Sequence, residues 1–486
     1  MLAAVLALLI VPLAAGLTSA ALPRTAARAI TVLSGLACFA LVLALIPAVA
    51  HHDLNYVGYL RVDAVSAIFL LATSFLYAAV AVYSVGYLKQ HEDLYARRLY
   101  AGLNLFAWAM LAAPLMSSLA LLWIAVEVTT IISALLVAIE AVPTGEGDSA
   151  AEAAWKYVLI ASAGLSLALL GTVFAYFAGS QVLGQHYNLA ITPLVQAGSH
   201  LPHTPVRLAF LLALLGYGTK VGLFPVHTWL PDAHSEAPTP VSALLSGSLL
   251  AVSFYAVLRF YQVAAATLGS GFPRDALLSF GVASLLLAAL YVFGQRDIKR
   301  LLAYSSVEHM GILAIGVSFG APVALAGVLL HVLAHAAAKG NAFMGAGVLR
   351  AKFGTKQISA IRGGLDLLPW SGPLFLLAVF ALSALPPSGI FRSEFQIVAG
   401  GLGSGNYAAA AVLIIGVTVA FFGLSTAATS MLFAPARGTL ARGEPSTWMV
   451  VPVVAGVAVL FVLGVHPPGE LTGLIARAVT QLEVTR

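Results

Sequence analysis

Charge is what this sequence has least of. Asp, Glu, Lys and Arg make up 9% of its 486 residues, against 60% hydrophobic residues and a mean hydropathy of +0.97. A soluble domain carries roughly 25% charge, so the imbalance excludes a water-soluble globule and suits a bundle of membrane helices, which needs no polar coat around its waist. Cysteine is nearly missing too. The single Cys38 cannot form an internal disulfide or a multi-thiolate metal site, which excludes a Cys-ligated iron–sulfur cluster within the chain. There is no Gly-rich nucleotide loop, CxxC set or nucleophile elbow. The net charge of +5 comes without a basic stripe interleaved with aromatics, so nucleic acid is not an expected partner. No stretch is polar and long enough to be a soluble domain.

Apolar runs, by contrast, are plentiful. Fourteen are long enough to be read as spans, at about 1–22, 29–50, 62–88, 99–113, 116–140, 154–179, 206–230, 237–262, 276–294, 301–319, 322–349, 371–399, 407–431 and 447–465. The first resembles a signal peptide but lacks a basic leading region and is followed at once by a hairpin partner, so it is expected to be a retained helix. Basic residues cluster in alternate loops: Arg24, Arg28, Lys89, Arg97, Arg98, Arg296, Lys299, Arg300, Arg350, Lys352, Lys356, Arg362, Arg437 and Arg442 fall on one side. Only Arg61, Arg207, Arg274, Arg477 and Arg486 fall in the opposite loops and the C-terminus. The positive-inside rule then predicts both termini outside a bacterial or archaeal cytoplasmic membrane.

Two spans look broken. KVGLFPVHTWLPDAHSEAPTPV carries Pro225, Pro231, Pro238 and Pro240, and ALPPSGIFRSEF carries Pro386, Pro387 and Gly389. Proline removes a backbone donor and kinks or stops a helix, and freed carbonyls in a membrane must be satisfied by protein or water. The breaks fall in the seventh and twelfth spans. Five-span spacing predicts an all-α membrane protein with two inverted five-helix repeats, because an odd-numbered unit inserts its second copy upside down. The expected divisions are 1–98 for the first three helices, 99–262 and 263–431 for the repeats, and 432–486 for the last helix and tail.

Against this background the ionisable residues inside the spans stand out. A charge in hydrocarbon costs several kcal/mol unless it faces protein or water, and by default marks a path for ions. Glu127 lies in ALLWIAVEVTTIIS and Lys220 in LLGYGTKVGLFP, and each is the other's natural partner. Such a pair either moves protons or merely glues two helices, and snorkelling is the bland reading for the lysine. His331, His335 and Lys339 recur at i, i+4 and i+8, on one helical face. Histidine titrates near neutrality and has two nitrogens with which to pass a proton. The same two histidines could bind zinc or make ordinary interhelical hydrogen bonds, but the segment lacks an HExxH glutamate and any nearby acidic or thiol ligand, so no metal is expected. Glu394 follows the second break, in the place where the first repeat has Lys220, with Arg392 two residues away. Glu308 and His309 form another pair at membrane depth, and His234 either relays a proton or caps a helix end.

LFPVHTWLPDAHSEAPTPVSALLSG, DIKRLLAYSSVEHMG and HVLAHAAAKGNAF together resemble the proton-translocating membrane subunits shared by respiratory complex I, Mrp-type cation/proton antiporters and membrane-bound hydrogenases. The resemblance runs from about residue 60 to 430. It implies proton-translocating roles for Glu127, Lys220, Lys339 and Glu394, and SSVEHMG is similar to the hydrogenase 4 component F branch. It further implies a subunit without cofactors of its own. Its expected partners are other membrane subunits, the lipid bilayer and a soluble redox arm with iron–sulfur clusters and a NiFe centre, as in group 4 hydrogenases or complex I-like assemblies. A Na⁺/H⁺ antiporter subunit and a non-conducting scaffold are the competing readings.

Overall fold

In the computed structural model, residues 1–56, 58–141, 147–436 and 440–483 are described. Arg437 and Arg486, both counted in the loop charges, lie outside them. The chain folds as α1 (Leu2–Ala21), α2 (Arg24–Val49), β1 (Leu54–Tyr56), β2 (Leu60–Val62), α3 (Ala64–Tyr87), α4 (Asp93–Ala112), α5 (Leu119–Val137), α6 (Gly147–Leu183), the short α7 (Ile191–Gln196), α8 (His203–Val221), α9 (Trp229–Glu236), α10 (Thr239–Leu244) and α11 (Leu250–Leu268). It continues through α12 (Gly271–Tyr291), α13 (Ile298–Phe319), α14 (Pro322–Phe353), the single turn α15 (Gly364–Leu367), α16 (Ser371–Leu382), α17 (Gly389–Gly403), α18 (Tyr407–Leu432), α19 (Thr447–Val465) and α20 (Gly469–Leu482).

Every expected apolar run falls on a helix, and the all-helical, multi-pass class stands. Among the described residues, 11 helices are long and apolar enough to cross a membrane. The other three expected spans fall on α4, which carries Arg97 and Arg98, and on the interrupted pairs α8–α9 and α16–α17. Burial orders the bundle. The α10–α11 segment and α13 are wholly buried over their most apolar stretch and α14 nearly so, whereas α1, α2, α12 and α18 present most of theirs to the outside. Glu308, His309, His331, His335 and Lys339 lie on the buried α13 and α14, whereas Glu127 lies on the less buried α5.

Several elements are not legible as apolar runs. A turn of π-helix, Leu245–Leu249, joins α10 to α11, where Ser246 Oγ lies 2.8 Å from Ser306 Oγ of α13 and Ser248 Oγ donates to Thr73 Oγ1 of α3 at 2.8 Å. Such turns are frequent at functional sites. The tail expected after the last span contains the amphipathic α20. Its Leu471, Leu474, Ile475, Ala478, Val479 and Leu482 recur at helical spacing and are buried. Arg477 of α20 pairs with Asp53 at 2.7 Å, and Gln262 of α11 donates to the Gln481 carbonyl at 2.7 Å.

Beside α20 lies a buried ion cluster. Asp63 caps the N-terminus of α3 by accepting from Ser66 N–H at 2.8 Å, and it pairs with Arg61 of β2 at 2.5 Å and Arg259 of α11 at 2.6 Å. Arg61 is therefore not a free loop cation, and Lys299 is not one either. The Lys299 ammonium, 1% exposed, donates to the Ser235 carbonyl at 3.2 Å and to the Ala237 carbonyl. Close backbone approach sets the second break: a Cβ on Gly464 of α19 would stand 1.8 Å from the Pro387 carbonyl oxygen.

Candidate functional site

The first group of polar residues is built by α5, α6 and α8. Ser118 caps α5, accepting from Leu121 N–H at 3.3 Å, and the helical period then places Glu127, Thr130 and Ser133 one turn apart. Glu127 is half-buried; Oε1 accepts from Ser162 of α6 at 3.1 Å, and Oε2 has no partner among the described residues. Lys220 is fully buried at the end of α8. Its ammonium donates to Thr130 Oγ1 at 2.9 Å and to the Tyr157 phenol oxygen, and stands 4.6 Å from the centre of the Tyr157 ring. Ser133 donates to the Thr129 carbonyl at 2.6 Å, so the Tyr157 hydroxyl donates onward to Ser133 Oγ, 2.7 Å away, while accepting from Lys220.

The expected direct pairing of Glu127 with Lys220 is not what the structure shows. No ion pair joins them within 4.0 Å among the described residues; Tyr157 and Thr130 take the ammonium instead. Tyr157 comes from α6, a helix from which the sequence singled out nothing. A phenol inside an apolar run does need a partner, which was the one available signal.

The first break follows directly. Gly222 adopts a left-handed conformation (φ 83°) that ends α8, Pro225 lies in the irregular stretch, and Pro231 lies in the first turn of α9, where a missing N–H costs nothing. Carbonyls freed at the end of α8 are recaptured. Gly218 O accepts from Leu223 N–H at 2.8 Å, and Thr219 O accepts from the Trp229 indole at 2.8 Å. His234 Nδ1–H donates to the Leu230 carbonyl of its own helix at 2.8 Å, and its Nε2 has no partner among the described residues. Rings carry the sequence of contacts inward: Tyr157 to Trp229 at 4.5 Å, Trp229 to His234 at 6.3 Å, and His234 to Phe343 of α14 at 5.6 Å between centres.

The second group gathers on α13, α14 and α17. Glu308, His309, His331, His335, Lys339 and Glu394 are all buried. His309 Nδ1 lies 3.1 Å from His331 Nε2 and 3.8 Å from Glu394 Oε1, and His331 Nδ1 lies 3.0 Å from Ser393 Oγ. Ser393 donates to the Ile390 carbonyl at 2.8 Å, which assigns the tautomers: His331 Nδ1–H donates to Ser393, and His309 Nδ1–H donates to His331 Nε2. His309 Nε2, both nitrogens of His335, Glu308 Oε2 and Glu394 Oε1 have no hydrogen-bond partner among the described residues. Lys339 donates to the Leu302 carbonyl at 3.0 Å and to Ser305 Oγ, rather than to Glu308.

Pro386 and Pro387 lie in the second break, and Gly389 opens α17 behind its cap, Ser388, which accepts from Phe391 N–H at 3.2 Å. Glu394 does not occupy the position that Lys220 occupies in the first break: Lys220 ends the helix before its interruption, and Glu394 lies in the helix after its own. Arg392 turns away from Glu394 and donates to the Gly464 and Val465 carbonyls of α19 at 3.3 and 3.2 Å. Of the residues that bear on these two groups, the sequence did not single out Tyr157, Ser162 or Ser305. Hydroxyls scattered through apolar helices carry no periodic signal. His309, His331 and Glu394 are the described residues that could share a metal ion.

Fold and site define a class: a multi-pass helical membrane protein with two interrupted helices and a line of ionisable side chains enclosed in its bundle. Residues 116–423 match the family described as NADH:quinone oxidoreductase/Mrp antiporter, TM. The hydrogenase-4 component F homolog of Methylacidiphilum infernorum (isolate V4) is 33% identical over 85% of this chain and 86% of its own length. Hydrogenase-4 component B of Escherichia coli (strain K12) is 30% identical over 69% of this chain, which spans 50% of that relative. A chain of the membrane-bound sulfane sulfur reductase, an archaeal respiratory membrane complex, superposes with a TM-score of 0.87 at 20% identity, covering 99% of this chain and 97% of its own. The protein belongs to the NADH:quinone oxidoreductase/Mrp antiporter transmembrane family. It is one of that family's antiporter-like membrane subunits, and its fold is that of a component of a multisubunit membrane complex.

Proposed function

We propose that this chain is the proton-translocating membrane subunit of a hydrogenase-4-like redox complex, and that protons move along the line of ionisable residues from half-buried Glu127 to buried Glu394. The observation that carries the reading is the directional histidine pair. His309 Nε2 is free while its Nδ1–H points at His331 Nε2. A proton taken up at His309 Nε2 allows the Nδ1 proton to pass to His331, and Glu394 Oε1, 3.8 Å from His309 Nδ1, offsets the imidazolium that forms. Lys220 is held by Tyr157 and Thr130 at the C-terminal end of α8.

Energy is not a barrier. Moving one proton against 100 mV costs about 2.3 kcal/mol, and separating two unit charges from ~4 Å at an effective dielectric near 20 involves about 4 kcal/mol. A soluble arm with iron–sulfur clusters and a NiFe centre would supply the drive. The asymmetry of the basic loop residues favours both termini outside the cytoplasmic membrane, and the component F homolog, matched over 86% of its length, supports the hydrogenase-4-like assignment.

The assembled complex in proteoliposomes tests it. Glu127→Gln and Glu394→Gln should each reduce proton uptake per redox turnover at least fivefold while the complex stays intact. Full uptake per turnover in both variants would sink the proposal. The family description also spans Mrp antiporters. Pumping that is unchanged when Na⁺ is replaced by K⁺ or choline supports protons, and strict Na⁺ dependence supports the antiporter reading.

A further inference from the structure

The sequence around His331 and His335 lacks an acidic ligand, but the fold supplies one from another helix and a third imidazole from a further one. We propose that His309, His331 and Glu394 form an inhibitory transition-metal site that takes Zn²⁺. One ligand atom from each of the three lies within 4.8 Å of the others. Tetrahedral zinc with ligands at ~2.0–2.1 Å puts ligand atoms roughly 3.3 Å apart and imidazole centres roughly 5 Å apart. His309 Nδ1 is 3.1 Å from His331 Nε2 and 3.8 Å from Glu394 Oε1. The His309 ring centre lies 5.1 Å from that of His331, whereas the His335 ring, 5.2 Å from His309 and 6.2 Å from His331, stands outside the three-ligand group.

Two of the three lone pairs are in place, on His331 Nε2 and Glu394 Oε1. His331 Nδ1 is committed to Ser393 Oγ at 3.0 Å, which aims Nε2 into the cluster, the outer-shell arrangement that fixes a metal-bound imidazole. Neutral His309 needs only to move its proton from Nδ1 to the unpartnered Nε2 to free Nδ1 for the metal. Both nitrogens of fully buried His335 and one oxygen of Glu394 are unpartnered, an uncommon concentration of buried orphans. Two imidazoles and a carboxylate suit zinc, which takes three nitrogen and oxygen ligands from protein with a water in the fourth position. Glu394 keeps 5% of its surface, whereas the imidazoles keep none, so the ion would reach the carboxylate first. Zinc in this position replaces the hydrogen bond from His309 to His331 and blocks transfer there; the block, unlike the binding, rests on the proton-relay reading.

The test uses the purified full-length protein with Zn²⁺ alone and with Co²⁺ as a spectroscopic probe. The background is His51→Gln with His52→Gln, which removes an exposed adjacent pair that could bind zinc by itself. After equilibrium dialysis the background protein should retain one more zinc per chain than its His331→Ala derivative, and Glu394→Gln should weaken retention at least tenfold. Bound Co²⁺ should show the intense visible absorption of a four-coordinate site. Equal zinc retention by the background and His331→Ala proteins would overturn the site. Should His331→Ala not fold, zinc-edge absorption of the background protein decides: imidazole scattering supports the site and oxygen-only ligation overturns it. Zinc that binds at this site without slowing proton uptake would leave the site standing and count against the relay instead.

Discussion

Tyr157→Phe isolates one hydroxyl at the centre of the first polar group. The ring stays, with its packing on Trp229 at 4.5 Å and its face toward the Lys220 ammonium at 4.6 Å. Lost are the acceptor for that ammonium and the donor to Ser133. Ser133 keeps its bond to the Thr129 carbonyl, so no new orphan hydroxyl is created on α5. Lys220 keeps one hydroxyl, Thr130 Oγ1 at 2.9 Å. A hydrogen bond to a charged group contributes about 1.5–3 kcal/mol, and each ~1.4 kcal/mol is a factor of ten in rate. The charged form of Lys220 should therefore become about 10- to 100-fold harder to populate, and proton uptake in proteoliposomes should fall by about that factor. Thermal unfolding followed by intrinsic fluorescence should show destabilisation of no more than about 3 kcal/mol, so loss of transport would not reflect loss of the fold. Uptake within twofold of wild type would refute the argument that Tyr157, rather than a direct Glu127–Lys220 pair, holds the lysine.

Arg259→Met should destabilise the protein by about 3 kcal/mol, at the low end for breaking a buried pair because Arg61 remains on Asp63 at 2.5 Å; denaturation of the purified variant measures it. Gly464→Ala drives a Cβ against the Pro387 backbone and should lower the melting temperature by several degrees, whereas Gly473→Ala on α20, with open space around it, should leave it within a degree. Single cysteines placed in the loop of Lys352 and Arg362, on a background lacking Cys38, should be labelled only from the cytoplasm, and labelling only from outside would reverse the assigned orientation.

The sequence by itself determined that this is a multi-pass helical membrane protein with two interrupted helices, because hydrocarbon admits only backbone that satisfies itself and because Pro225, Pro386 and Pro387 cannot donate to a helix. It also determined which residues were worth asking about, since a charge inside an apolar run is costly enough to stand out singly: Glu127, Lys220, Glu308, Lys339 and Glu394 needed no neighbour to be noticed. The i, i+4, i+8 spacing of His331, His335 and Lys339 already put them on one face. What only the tertiary structure decided is who touches whom. Opposite charge suggested that Glu127 holds Lys220, but a lysine buried at the end of α8 takes the nearest acceptors in reach, and α6 and α5 offer Tyr157 and Thr130. The amphipathic α20 carries a helical period in its sequence but is too polar to register as an apolar run, whereas the Asp63–Arg259 pair was illegible because it joins segments 196 residues apart. The same holds for the meeting of His309, His331 and Glu394: each comes from a different helix, and three helices must pack before a relay, or a site for a metal ion, exists at all.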